Sequence, residues 1–486
     1  MYANLPVPQT TNCYGNVLNR PLPTSPAAVS STYGSALTPH GNHHILVIFA
    51  GFTEDVTPSC WDYNRPEWPQ NDNINPIGAS LPANLTDFGY STQSQFNPAA
   101  TDQTVSNFLY QMSQTSANPF RATFGYFPER INVSRTVATP GDIISYSRAV
   151  FDQINQRYPN YDWSPYDQHV NNPGFQTDNS GISPDGKIDY VVVCWRSMRG
   201  GCSNTFLPAD TGLAGVPNYT FPATGTRPAY SVTAGHLQTG ITMNPNTFLH
   251  EFGHTVYYAP HMWGMNSGTT GQYWNQTYGW GIMPNINTFF SANAWERWYL
   301  GWSELKTGAA QVSSDIQDAA SLAATGGSYT LRDFATTGDA VRIRLPNTNQ
   351  HLWLENRAKN GPFDRRNAWL IDGGNQPFAS PPAGLVAMVE DMAPNQSQVY
   401  NLPTNGMRTV SAQGHYDYTH SNSGSSFNQH LWNPNPLMSV HGPQGSSSAP
   451  VPNPTSNHNE MSVVRFDFNG DGVIGYNPLY DCIAFR

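Results

Sequence analysis

At 486 residues the chain is long enough for two or three domains with sizeable cores, and its 38% hydrophobic and 12% charged residues mark a polar but weakly charged protein. A net charge of −10, with lysine only at Lys187, Lys306 and Lys359 and no basic cluster, argues against nucleic acid as a partner. No apolar run approaches the length of a membrane span, so no transmembrane segment is expected.

Residues 1–43, rich in Pro and Ser, read as an extended arm. His44–Phe49 (H-I-L-V-I-F) is a short apolar run of the kind that forms a buried strand. Residues 53–100 lack periodicity and read as a long surface insertion. A helix is expected over 102–113, a strand over Arg130–Val137, and a helix carrying Ile143, Ile144, Val150, Phe151 and Ile154 at helical spacing. Ile188–Trp195 (I-D-Y-V-V-V-C-W) is the most strand-like run of the chain. Beyond Trp302 the texture changes to strands: Ser328–Phe334, Ala340–Leu345, His351–Arg357, Gly384–Asp391 and Ser462–Phe468, with a linker-like stretch over 443–455. The expected fold class is therefore α+β: an arm over 1–43, a domain of alternating strands and helices over 44–305, and a β-rich domain over 306–486.

Five cysteines (Cys13, Cys60, Cys194, Cys202 and Cys482) are too few to build a scaffold but suit an exported protein. Cys194 with Cys202, and Cys13 with Cys60, are the two pairs whose positions would permit a bridge. The start Met1-Tyr2-Ala3-Asn4 carries neither a basic region nor an apolar core, so no signal peptide is visible. Composition nonetheless favours a secreted, extracellular protein, most simply a monomer.

The chemistry concentrates in His250-Glu251-Phe252-Gly253-His254, an H-E-x-x-H segment. Asn244 is a plausible N-cap, Pro245 suits the first helical position, and Phe248, Leu249, Phe252 and Val256 form an apolar stripe. On such a helix the i, i+4 spacing turns both imidazoles to one side, where they can share a zinc ion. Glu251 then stands beside the metal as the general base that accepts a proton from the attacking water. Oxygen donors appear in two further places suited to calcium. Asp178, Asp185 and Asp189 lie in a Gly-, Ser- and Asn-rich stretch, and Asp467, Asn469 and Asp471 begin like an EF-hand loop, with Pro478 where its bidentate glutamate would stand. His43-His44, ahead of the first strand, reads as an edge pair and not as ligands.

Several segments, in shared order, resemble the immune inhibitor A family of secreted bacterial zinc metallopeptidases. They are Tyr161–Asp167 (Y-D-W-S-P-Y-D), Asp185–Val193 (D-G-K-I-D-Y-V-V-V), the H-E-x-x-H helix, Ser291–Trp302 (S-A-N-A-W-E-R-W-Y-L-G-W), Leu354-Glu355-Asn356-Arg357 and Gly384-Leu385-Val386. The resemblance implies a zincin-like catalytic fold, an endopeptidase acting on proteins or peptides, zinc as cofactor, and a calcium loop near Asp185. It also implies a methionine turn, which Met283 matches. Tyr278, five residues earlier, is by its position a candidate donor to an oxyanion.

In that family the helix continues as H-E-x-x-H-x-x-G-x-P-D, with the aspartate as third zinc ligand. Here the chain reads His254-Thr255-Val256-Tyr257-Tyr258-Ala259-Pro260-His261, one residue longer and with histidine after the proline. An unbroken helix would carry His261 about 10 Å along the axis from His254, too far for one ion. Pro260 interrupts such a helix, so a turn that returns His261 is feasible. His261 is the expected third ligand, with Glu296 and His236 as the alternatives. The functional expectation is a secreted zinc endopeptidase. Two other classes stay open: an impaired relative that serves as an extracellular binding protein, and a zinc hydrolase of a non-peptide or cell-wall substrate.

Overall fold

The computed structural model describes residues 37–54, 89–138, 142–171, 183–195, 210–211, 216, 218–239, 245–258, 281–282, 291–303, 305–306, 316–319, 331–344, 351–358, 360–365, 384–390, 407–409, 431–432, 462–465 and 482–485. The chain is a mixed α/β protein that forms two compact units, Leu22–Ala259 and Pro260–Arg486 together with Met1–Pro21.

The first unit is organised on one sheet. Strand β1 (Asn42–Phe52) is buried along almost its whole length, which is why it reads as a continuous apolar run and not as an alternation. It pairs in parallel with β2 (Arg121–Tyr126), β3 (Ile131–Val133) and β5 (Val191–Trp195). Next comes β9 (Gly235–Thr239), parallel to β5, and then β6 (Asp210–Thr211), antiparallel to β9. The sheet is therefore mixed, with the order β2-β1-β5-β9-β6. A smaller three-stranded sheet is made by β4 (Lys187–Ile188), β8 (Tyr230–Val232) and β7 (Tyr219–Phe221).

Helices cover both faces of the main sheet. Helix α1 (Val105–Ser113) is capped by Thr104, whose side chain accepts from the Asn107 amide. Helix α2 (Ile143–Arg157) is capped by Asp142 and buries Tyr146, Val150, Phe151 and Ile154. These side chains join Leu46, Ile48, Ala50, Phe52, Val191, Val193 and Trp195 in one core cluster. Helix α3 (Pro245–Gly253) lies against the opposite side: Phe248 meets Phe124 of β2, and Phe252 meets Phe120 and Tyr190. No helix of the described residues is long and apolar enough to cross a membrane.

Three expectations need correction here. The strand expected over Ile188–Trp195 is two strands in different sheets, because Asp189 turns inward and its carboxylate accepts the amides of Gln168 and His169. The strand expected over Arg130–Val137 ends at Val133. Ser134 accepts the Thr136 amide, and the carboxylate of Glu54 accepts the Arg135 amide, which winds Arg135–Val137 into a 3₁₀ turn. Cys194, expected as a possible bridge partner, is a free buried thiol on β5, and burial pushes its pKa up.

In the second unit, helix α4 (Ala294–Tyr299) precedes a sheet in the order β10 (Leu305–Lys306), β11 (Ile316–Ala319), β12 (Ala340–Arg344), β13 (His351–Arg357), β14 (Gly384–Glu390) and β15 (Met407–Thr409). Strand β16 (Leu431–Trp432) also pairs with β14, and β17 (Ser462–Arg465) pairs with β18 (Cys482–Phe485). The expected strand over Ser328–Phe334 is not realised at its end: Asp333 caps a helical turn, Phe334–Thr337.

Two segments far apart in sequence meet in this unit through buried charge. Glu355 on β13 accepts the Ala294 amide, and its neighbour Arg357 pairs with both Glu355 and Asp364. Ser291 donates to Asp364, while the guanidinium groups of Arg297 and Arg357 lie over the Phe334 ring. Burial, with Arg357 beside it, lowers the pKa of Arg297 to about 10.

Candidate metal centres

Pro245 opens helix α3, as its fixed φ and missing amide hydrogen favour. Phe248, Leu249, Phe252 and Val256 are all buried, so the apolar stripe is the face that seats the helix. With that face anchored, the i, i+4 spacing sets the rings of His250 and His254 5.0 Å apart and almost perpendicular. Both histidines are buried, and Glu251 is slightly more open at 7% exposure. The helix then widens into a π turn, His254–Tyr258, a form that recurs at functional sites.

The donor set fits zinc in kind: two imidazoles one turn apart with a carboxylate adjacent. Among the described residues, no third histidine, cysteine or carboxylate gathers with this pair. His261 lies outside the described residues, as do Tyr278, Met283, Asp178, Asp467, Asn469 and Asp471. The two alternative third ligands have other engagements. Glu296 accepts the Ile282 amide at 2.7 Å and the Asn293 amide at 2.9 Å, so both oxygens brace the start of α4. His236 on β9 hydrogen-bonds the Tyr190 hydroxyl through Nδ1 at 2.9 Å, and its ring packs edge-on to Phe248 beneath α3.

Two of the aspartates expected to hold calcium, Asp185 and Asp189, brace two loops together with Asp167. Asp167 accepts the amides of Asp185 and Gly186, and Asp185 accepts those of Asn171 and Lys187. The Lys187 ammonium lies 2.7 Å from Asp185, where a hard cation would otherwise sit on that oxygen. Asp189 is almost fully enclosed. Burial, followed by the charges of Asp167 and Asp185, holds its carboxyl well above the usual range. The loops around 161–167 and 185–190, which the sequence lists as separate motifs, are thus one hydrogen-bonded structure.

A donor group that sequence reasoning missed sits beside them. His43, His169 and Asp189 are all buried, one ligand atom from each lies within 4.8 Å of the others, and the set is able to hold a metal ion. His43, read from sequence as one half of an edge pair, has 1% exposure. Its neighbour His44 lies within β1, between β2 and β5 in the sheet order and not at an edge, and its ring bonds Thr123 and stacks on Tyr166. Local sequence carried no signal for this group, because His169 falls in a polar stretch without periodicity and Asp189 reads as a calcium donor. No protein-family model matches the chain, and no curated protein matches it.

Proposed function

We propose that this chain is a secreted zinc endopeptidase of the immune inhibitor A type, with a zincin-like catalytic domain and a β-rich C-terminal domain. The observation that carries the reading is the anchored helix α3, with His250 and His254 buried one turn apart, their rings 5.0 Å from each other, and Glu251 next to His250 in the chain at 7% exposure. His250 and His254 would hold zinc as neutral imidazoles, with His261 as the proposed third donor. Bound there, zinc supplies the Lewis acidity that makes water acidic near neutral pH and polarises a carbonyl. Glu251 accepts the proton of the attacking water and hands it to the departing amine nitrogen, so one carboxylate serves in turn as base and acid.

Phe248 and Phe252 contribute indirectly by fixing the helix on the sheet, which keeps both imidazoles in register. Chelation tests the reading. Casein hydrolysis by the purified chain should cease with 1,10-phenanthroline and return with added zinc. Hydrolysis that persists in chelator would contradict it. A chain with neither activity nor zinc would instead favour the extracellular binding protein.

A further inference from the structure

The group formed by His43, His169 and Asp189 lies apart from the H-E-x-x-H pair, and its chemistry can be read atom by atom. His43, the second residue of β1, bonds the His40 carbonyl through Nε2 at 3.0 Å. His169 bonds the Asn42 carbonyl through Nε2 at 2.7 Å. A carbonyl can only accept, so each Nε2 carries the proton and each Nδ1 keeps its lone pair. Metal-ligating histidines are held this way, with one ring nitrogen donating to a backbone carbonyl and the other facing the ion. The Nδ1 of His43 is buried and makes no hydrogen bond of good geometry, the Thr38 backbone also being set against the ring, so burial has largely removed its lone pair from water. The two rings stack 4.0 Å apart, so the two histidines are direct neighbours.

Charge supplies the second argument. Asp189 is 1% exposed and accepts two backbone amides, from Gln168 and His169. Asp167 and Asp185 stand nearby with the same sign, and the adjacent ammonium of Lys187 is committed to Asp185. A dication would balance Asp189 and satisfy His43 at once.

We infer that His43 Nδ1, His169 Nδ1 and the Asp189 carboxylate form a second, structural metal site for a divalent transition ion, zinc foremost. Two imidazoles disfavour calcium and magnesium, which take oxygen donors. Donors around a tetrahedral zinc with bonds of about 2.0–2.1 Å stand about 3.4 Å apart. One ligand atom from each residue lies within 4.8 Å of the others, and loading the site turns the two stacked rings until their lone pairs converge on the ion. The enclosure of all three residues suits a structural role and not turnover of substrate. The site also lies under α3: His43 packs edge-on to Phe120, and Phe120 stacks on Phe252 of the H-E-x-x-H segment.

The test is zinc content per chain, by elemental mass spectrometry, after the full-length protein is stripped and reloaded with zinc chloride. Wild type is expected to hold two ions, the His250→Ala/His254→Ala chain one, and His43→Asn one. Added zinc should also raise the unfolding midpoint of the His250→Ala/His254→Ala chain by about 5 °C or more. A folded His43→Asn chain that retains as much zinc as wild type would overturn the inference, as would a His250→Ala/His254→Ala chain that holds none. If that double variant holds as much as wild type, the catalytic-centre reading fails while this site stands. Should His43→Asn not fold, cobalt(II) loading of the double variant decides: visible d–d bands of a low-coordinate ion support the site, and the pale spectrum of hexaaqua cobalt overturns it.

Discussion

His250 and His254 are brought together by a single helix, and any chain that forms that helix will pair them. His43 and His169 meet only because the sheet closes. The bond from His169 to Asn42 spans 127 positions, and Asp189 arrives from the gap between β4 and β5. The first group is a property of five residues, the second a property of the tertiary fold. Yet both lie in the same unit, and Phe120 and Phe252 form the layer between them. Local motifs therefore reveal chemistry that secondary structure alone assembles, and they pass over donor sets assembled by chain crossings.

The sharpest way to break this comparison is His254→Ala. It should reduce casein hydrolysis to background and remove the zinc of the helix, while the metal at His43 and His169 stays, as read by activity and zinc content together. Loss of all metal would show that the two groups are not independent.

Phe252→Ala strikes the shared layer. Deleting a buried ring that touches Phe120, Tyr190 and Phe248 should cost about 3–5 kcal/mol in urea unfolding. It should also lower zinc retention at both groups. A cost below about 1 kcal/mol would mean that α3 does not depend on this seat.

Asn171→Ala separates the groups from the other side. Asn171 Nδ2 donates to the carbonyls of Ile188 and Asp189, so its loss should cost about 1–3 kcal/mol and loosen the loop that presents His169 and Asp189. Peptidase activity per bound helix zinc should be unchanged. A matching loss of activity would tie the loop directly to catalysis.

Much of the frame is legible in the sequence. The apolar run of β1 is buried on both faces, the periodic residues of α2 form the core, and His351–Arg357 is a strand with the bounds its pattern predicts. What escapes has a physical reason in each case. Strand β2 carries Gly125, which weakens its pattern, and the glycine is needed because a Cβ there would run into the Tyr166 hydroxyl and the His44 ring. The break inside Ile188–Trp195 is invisible because Asp189 is read against its neighbours, while its partners are the amides of Gln168 and His169. The H-E-x-x-H helix was legible because its chemistry and its packing share one period. The His43 group was not, since no period relates its members.

The account rests most directly on Glu251. Casein hydrolysis by wild type and by Glu251→Gln, each with its zinc content determined, tests it in one experiment. The account predicts equal zinc in both chains and a fall in turnover of about 10²–10⁴-fold in the variant, the range expected when a positioned proton-transfer group is lost. A Glu251→Gln chain that keeps its zinc and hydrolyses casein at the wild-type rate would contradict it.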